Sequence, residues 1–398
     1  MTVASAWRYQ DAAASYSLMF PDQPLPSSFL PSHVHPQEAY VDSRHGAVRA
    51  YRTAGWLLAA MVAIPAITAA DQPSQASFPP WSLKLAIHYL PPPTNRSQYG
   101  VVLAWGDQAW FLGGTNVTGP GKPKAERIRN GLPQSTVLPP GAHSWIVAAS
   151  APAPTNIWAV TYLGGSVLNW NGSAWTTEPR GAWKTGTRFT GITALSKTNV
   201  WVFGTSGRLH PGAGTWHFNG KAWRRAKGAA SGIFQASAAS RFDIWAIGNA
   251  GRSLNALFQF SGSAWRRIRP QALAGFTYSH VLALSRSDVW VAGKVAGVPK
   301  LGHFDGHGWR ELRVPGKTAA TGMCRDGRRG MWVVANSGTA PSVVLDRSAN
   351  GTWTRVKVSQ NVANKVLACA LVPGTLRAWG AGTAVAPSGS AAAAYRTG

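Results

Sequence analysis

Acidic residues are scarce in this 398-residue chain: 14 Asp and Glu stand against 39 Lys and Arg, and only 13% of the residues are charged. The deficit is regional, because residues 1–70 hold four residues of each sign and residues 71–398 hold 35 basic against ten acidic ones. Such an excess repels cationic partners and favours anionic ones. Cysteine is limited to Cys324 and Cys369, which excludes a disulfide-built scaffold. No Cys-x-x-Cys, His-x-His or His-Glu-x-x-His occurs, so neither a metal nor any other cofactor is expected. Paired carboxylates for glycoside hydrolysis are not signalled either. Four of the ten late carboxylates (Asp107, Asp243, Asp288 and Asp305) fall in recurring turns, where a side chain caps backbone amides. The other six form no evident pair.

Long apolar runs are also missing, with one exception. Residues 53–70 carry no charge, follow Arg44, Arg49 and Arg52, and end in Thr68-Ala-Ala. That order is expected of a secretory signal or a membrane signal anchor. Pro65 and a length of 18 residues make it short for a span, and the preceding arginines put the remainder outside. Residues 1–52 then read as a disordered or misassigned extension and residues 71–79 as a linker.

What the chain has in quantity is glycine (43), proline (27) and tryptophan (20). Seven tryptophans recur at intervals of 48, 43, 44, 45, 42 and 47 residues: Trp110, Trp158, Trp201, Trp245, Trp290, Trp332 and Trp379. Five of them sit in copies of one phrase, including Asn156-Ile-Trp-Ala-Val, Asn199-Val-Trp-Val-Phe-Gly, Asp243-Ile-Trp-Ala-Ile-Gly and Asp288-Val-Trp-Val-Ala-Gly. A second phrase follows in five units, as in Asn171-Gly-Ser-Ala-Trp, Asn219-Gly-Lys-Ala-Trp, Ser261-Gly-Ser-Ala-Trp and Asp305-Gly-His-Gly-Trp. Asn-Gly and Asp-Gly supply the positive φ of tight hairpins. Strand-like units with a period in the forties predict an all-β, seven-bladed β-propeller over residues 80–398, four antiparallel strands to a blade. The last unit stops before its fourth strand, and an orphan strand at residues 81–89 precedes the first. Those residues are expected to complete the last blade and close the ring, which removes open sheet edges.

The strand-2 glycine (doubled at Gly113-Gly114), the aromatic before Asp/Asn-Gly and the following tryptophan resemble kelch and galactose-oxidase propeller repeats. The Asp-Gly-x-x-Trp turn is similar to the Asp-box of sialidase-type propellers. The nearest resemblance is to exported bacterial propeller proteins built on Asp-Val-Trp-Ala-Val-Gly and Trp-Asn-Gly-x-x-Trp. It implies the fold and names no reaction.

Within the repeat, the tryptophans are assigned to packing, and His217 and His303 to a polar face of the third strand in register with Asn169 and Gln259. Cys324 and Cys369 fall on the first strands of neighbouring blades, where a disulfide or two buried thiols are both compatible with the pattern. Arginines after the closing tryptophan (Arg224, Arg225, Arg266, Arg267, Arg310 and Arg313) lie on outer strands and protect edges. A second basic series precedes the strand-2 tryptophan in successive blades: Lys197, Arg241, Arg286, Arg328 with Arg329, and Arg377. These occupy strand 1–2 loops and so one face of the disc. Lys122, Lys124, Arg208 and His210 belong to the opposite face and compete with them. The expectation is an exported or surface-anchored, monomeric, non-catalytic module binding an anionic polymer or an acidic protein surface. A hydrolase or lyase with a loop-built site and a structural interaction scaffold are the alternatives. Export disfavours nucleic acid as a partner.

Overall fold

The computed structural model describes residues 82–89, 97–115, 121–184, 186–205, 213–226, 232–250, 253–315, 319–326, 330–336, 342–358, 365–386 and 389–397. The expected signal or anchor at 53–70 and the extension before it lie outside the described residues. Within them no helix is long and apolar enough to cross a membrane. The one helical turn is a 3₁₀ segment, Gln271–Leu273.

Seven four-stranded antiparallel blades account for the described residues. Blade 1 runs through Ser97–Trp105, Gln108–Thr115, Lys122–Arg129 and Leu132–Ser135, and blade 2 through Ile146–Ala153, Asn156–Thr161, Val167–Trp170 and Trp175–Thr177. Blade 3 is Gly191–Ser196, Asn199–Gly204, Gly214–Phe218 and Trp223–Arg225; blade 4 is Gly232–Ser240, Asp243–Ala250, Ser253–Phe260 and Trp265–Ile268. Blade 5 is Phe276–Ser285, Asp288–Val295, Val298–Phe304 and Trp309–Arg313; blade 6 is Ala320–Arg325, Met331–Ala335, Val343–Arg347 and Trp353–Val358. Blade 7 takes Lys365–Leu371, Ala378–Ala386 and Gly389–Thr397 from the end of the chain. Its fourth strand is Ser82–Tyr89, antiparallel to the third with Leu83 opposite Thr397 and Tyr89 opposite Ala392. The ring therefore closes as its incomplete last repeat predicts.

Second strands are buried on both faces, because each blade is covered on either side by a neighbour. This explains their near-continuous apolar runs. In blade 1, Trp110 and Leu112 pack with Ile157, Ala159, Trp170 and Trp175 of blade 2. Ala109 and Phe111, on the other side of the same strand, pack with Val372, Ala381 and Ala392 of blade 7. The core is accordingly a series of inter-blade layers. Trp110, Trp158, Trp201 and Trp245 each face the next blade and meet that blade's closing tryptophan nearly edge to face. Trp110–Trp175 centroids are 5.5 Å apart at 84°, Trp201–Trp265 5.7 Å at 79°, and Trp245–Trp309 5.6 Å at 69°. Such geometry adds to the stabilisation from buried area. Blade 1 has no closing tryptophan, and there Phe111 meets Trp379 of blade 7 instead.

Two glycine positions explain why the phrases recur. The strand-2 glycine lies opposite a bulge in the first strand: Gly248 pairs with Ile233 and Gly293 with Tyr278, at the register shifts of those strands. A Cβ on Gly248 would sit 2.3 Å from the Gly232 carbonyl oxygen, and one on Gly293 2.2 Å from that of Thr277. The hairpin glycines Gly172, Gly220, Gly262 and Gly306 have φ of 102°, 89°, 92° and 96°. Over each lies a residue of the strand 1–2 turn: Thr155, Thr198, Phe242 and Ser287 respectively. Both kinds of turn therefore crowd together on one face.

Cys324 and Cys369 form a disulfide between the first strands of blades 6 and 7, with Cα atoms 5.8 Å apart. It staples the seam beside the blade that depends on a strand from the other end of the chain. Reduction is expected to lower stability by about 2–4 kcal/mol, read from denaturant unfolding with and without reductant. Trp245→Ala, which removes two aromatic contacts from a seam, is expected to lose about 3–5 kcal/mol in the same assay. A loss below about 1 kcal/mol would contradict the packing assignment.

Candidate functional site

The strand 1–2 turns are short because their ends are bonded strand to strand: Ser196 opposes Asn199, Ser240 opposes Asp243, and Ser285 opposes Asp288. Within them Ser196, Ser240 and Ser285 accept backbone N–H groups two residues on, from Thr198, Phe242 and Ser287. The residue between cannot turn inward. Lys197, Arg241 and Arg286 are exposed as a result, in blades 3, 4 and 5. None of the three is in an ion pair among the described residues. The Arg241 guanidinium lies 4.5 Å from the centroid of the Phe242 ring, itself 56% exposed.

The remaining members of the basic series divide. Arg377 is exposed in blade 7, but its Nη2 donates to the Gly106 carbonyl of blade 1 at 3.0 Å, so it stitches the closing seam. Arg325, which the sequence pattern did not single out, donates likewise to the Leu284 carbonyl across the seam of blades 5 and 6. Arg328 and Arg329 lie outside the described residues, as do Arg208 and His210 of the opposite face. On that face Lys124 is 3.8 Å from Glu126, and burial pulls its ammonium below the usual lysine range, with Glu126 opposing the shift.

The turn carboxylates need a correction. Asp305 alone does what a local reading expects, accepting the N–H groups of His307 and Gly308 at 3.0 Å each. Asp107 is 3.7 Å from Arg129. Asp243 and Asp288 reach across to the third strand instead. Gln259 Nε2 donates to Asp243 Oδ1 at 2.8 Å, and His303 Nε2 to Asp288 Oδ1 at 2.9 Å. Asn156–Asn169 and Asn199–His217 repeat the pair in blades 2 and 3, at 3.0 and 2.9 Å. The third-strand residue is the one opposite the repeat tryptophan, on which the histidines stack at 4.3 Å (Trp201–His217) and 3.9 Å (Trp290–His303). Outer-strand arginines complete the ladder: Arg266 donates to Gln259 Oε1 at 2.7 Å, and Arg310 to His303 Nδ1 at 3.1 Å. Arginine cannot accept, so His303 is the neutral Nε2–H tautomer. Burial draws its pKa down, more strongly than Asp288 raises it.

Other carboxylates are engaged as well. Glu126 accepts from the Tyr99 hydroxyl, Glu311 is paired with Lys300, and Asp326 accepts the Gly330 N–H at 2.7 Å. Glu178 is half-buried, and burial raises its pKa. Among the described residues no group of three or more His, Cys, Asp or Glu is placed to hold a metal. One feature was not anticipated: a cleft of about 460 Å³ beside Arg286, at the seam of blades 4 and 5. The signal for it was present in the sequence as a departure from repeat, Ser287 where blade 4 has Phe242.

No family model matches the chain, and no curated protein aligns with it significantly. Among solved structures it is similar to YCF48 bound to a D1 peptide (14% identity, TM-score 0.55, covering 79% of this chain and 97% of that one). It is also similar to a streptogramin B lyase (12%, 0.56, 80% and 98%) and to U3-55K (6%, 0.56, 79% and 98%). At these identities the likeness is one of fold: the chain is a β-propeller repeat protein.

Burial also lowers the pKa of His217, and that of His280 on the inner strand of blade 5, the latter to about 4 against an ordinary 6.5. The unfolded chain then takes up more protons than the folded one between about pH 6.5 and 4. Stability is expected to hold above pH 7 and to fall as the pH drops through that window. His280→Gln should flatten the fall. A melting temperature unchanged from pH 7 to pH 4.5 would contradict the burial of these rings.

Proposed function

We propose that this protein is a non-catalytic binding module for an anionic ligand, engaged on the face that carries the strand 1–2 turns. One observation carries the reading: Lys197, Arg241 and Arg286 stand exposed in three consecutive blades without carboxylate partners, while the nearby Asp243 and Asp288 are occupied by Gln259 and His303. Like charges gathered on one face focus a field that attracts polyanions. The 35-to-ten excess of basic residues after residue 70 supplies the background. The series is not needed for folding, since these three side chains tie no blade to its neighbour. Arg377 belongs to the seam, and its contribution to binding is secondary.

The charge-free run at 53–70 behind three arginines supports export or surface anchoring, and with it a ligand outside the cytoplasmic membrane, such as an acidic wall polymer. A kelch-like relation is part of the same reading, resting on the Gly113-Gly114 pair and the Asp/Asn-Gly-x-x-Trp turns. The closed ring favours action as a monomer. An acidic protein surface is the alternative occupant, since a solved neighbour of this fold is seen with a bound peptide.

Reversing all three charges (Lys197→Glu, Arg241→Glu, Arg286→Glu) is expected to weaken binding to fluorescein-labelled polygalacturonate roughly tenfold or more. Wild-type binding should weaken steeply between low and physiological salt. Fluorescence anisotropy across a salt series reads both. Equal affinity of the triple variant and wild type would sink the assignment.

A further inference from the structure

The cleft at the seam of blades 4 and 5 has a construction that its neighbour lacks. The two seams correspond residue by residue. Between blades 3 and 4 stand Trp201, Arg224, Arg241, Phe242 and Trp265; between blades 4 and 5 stand Trp245, Arg266, Arg286, Ser287 and Trp309. At the first seam Phe242 projects from the turn over Gly262 and holds the Arg241 guanidinium against its ring. At the second, Ser287 takes the same place over Gly306 and its hydroxyl cannot fill it. A cleft of about 460 Å³ opens there, lined by Arg266, Arg286, Ser287, Gln259, Trp245 and Trp309 among others. That size lies within the ordinary range for a small-molecule site. No carboxylate lines it.

We infer that this cleft is the anchoring subsite for one carboxylate-bearing sugar of an acidic polysaccharide, whose chain continues along the turns that carry Arg241 and Lys197. The inference rests on the anionic-ligand reading above and names the ligand class. The exposed Arg286 guanidinium matches a carboxylate, which arginine can grip through parallel N–H bonds, and Arg266, held through Nε and Nη2 by Gln259, adds positive charge beside it. The exposed Ser287 hydroxyl can both donate to and accept from ring hydroxyls. The half-buried Trp309 offers apolar contact to C–H faces. A nucleobase is less well served. Trp245 is 2% exposed and is met at 69° by Trp309, so no open pair of parallel ring faces is available for stacking.

The repeat itself supplies the test. Ser287→Phe copies the blade 4 arrangement into blade 5, fills the cleft and leaves the net charge unchanged. Affinities of wild type, Ser287→Phe and the triple charge-reversal variant are measured by calorimetry against hexagalacturonate. Neutral cello-hexaose, a single-stranded oligonucleotide and phosphatidylserine vesicles are the comparison probes, and thermal melts check folding. Wild type should prefer hexagalacturonate, and Ser287→Phe should bind it about tenfold more weakly or worse with an unchanged melt. If Ser287→Phe does not fold, Ser287→Leu is the smaller plug, with the same expectation. Undiminished binding by the plugged variant, with loss in the triple variant, overturns the cleft and leaves the face standing. Undiminished binding by both overturns the two together. Tighter binding of the oligonucleotide or vesicle by wild type overturns the ligand class.

Discussion

Every blade is held by a contact it does not make with itself. In blades 1 to 4 a tryptophan in the second strand is covered by the third-strand aromatic and the closing tryptophan of the next blade. Trp245, for example, lies 5.6 Å from both Phe304 and Trp309. An isolated blade would expose that ring, so a single four-stranded unit has no core of its own and stability comes from neighbours. The requirement runs around the disc and cannot end at a free edge. Closure follows from it: the last blade borrows Ser82–Tyr89, and Ser97 Oγ of blade 1 accepts the Ala392 N–H of blade 7 at 2.9 Å.

Where the aromatic grip weakens, other contacts replace it. At the seam of blades 6 and 7, the third strand of blade 7 presents Ala393 and Tyr395, and this is the seam that carries the disulfide. Blade 6 has Arg347 where blades 3, 4 and 5 have Phe218, Phe260 and Phe304, and its guanidinium lies 4.6 Å from the Trp290 centroid. Inner strands add hydrogen bonds from small polar side chains: Ser150 accepts from Ala194, Gln235 from Val281 and Ser237 from Ala283, each in the following blade.

The blade count and the closing strand were legible in the sequence because both depend on a period, and the spacing of seven tryptophans preserves it. The disulfide was not, because spacing places two cysteines on neighbouring strands without fixing the 5.8 Å between their Cα atoms. Asp243 and Asp288 resemble backbone caps because a local rule sees only the turn, whereas their partners arrive 16 and 15 residues later on another strand. Arg377 looked like a free member of the basic series, and its acceptor lies 271 residues away. The cleft is the instructive miss. It lies where Ser287 takes the place that Phe242 has in blade 4, a difference in side-chain size that the period of the repeat does not record.

The same face therefore combines two kinds of residue: those the ring requires, and three cations it does not. Function is argued from the second kind, because nothing in the packing explains their recurrence in consecutive blades. Hydrogen–deuterium exchange with and without polygalacturonate tests that claim most directly. The account predicts protection concentrated in the turns at residues 196–199, 240–243 and 285–288. Protection confined to the opposite face, around residues 121–125, 204–205 and 213–215, would contradict it.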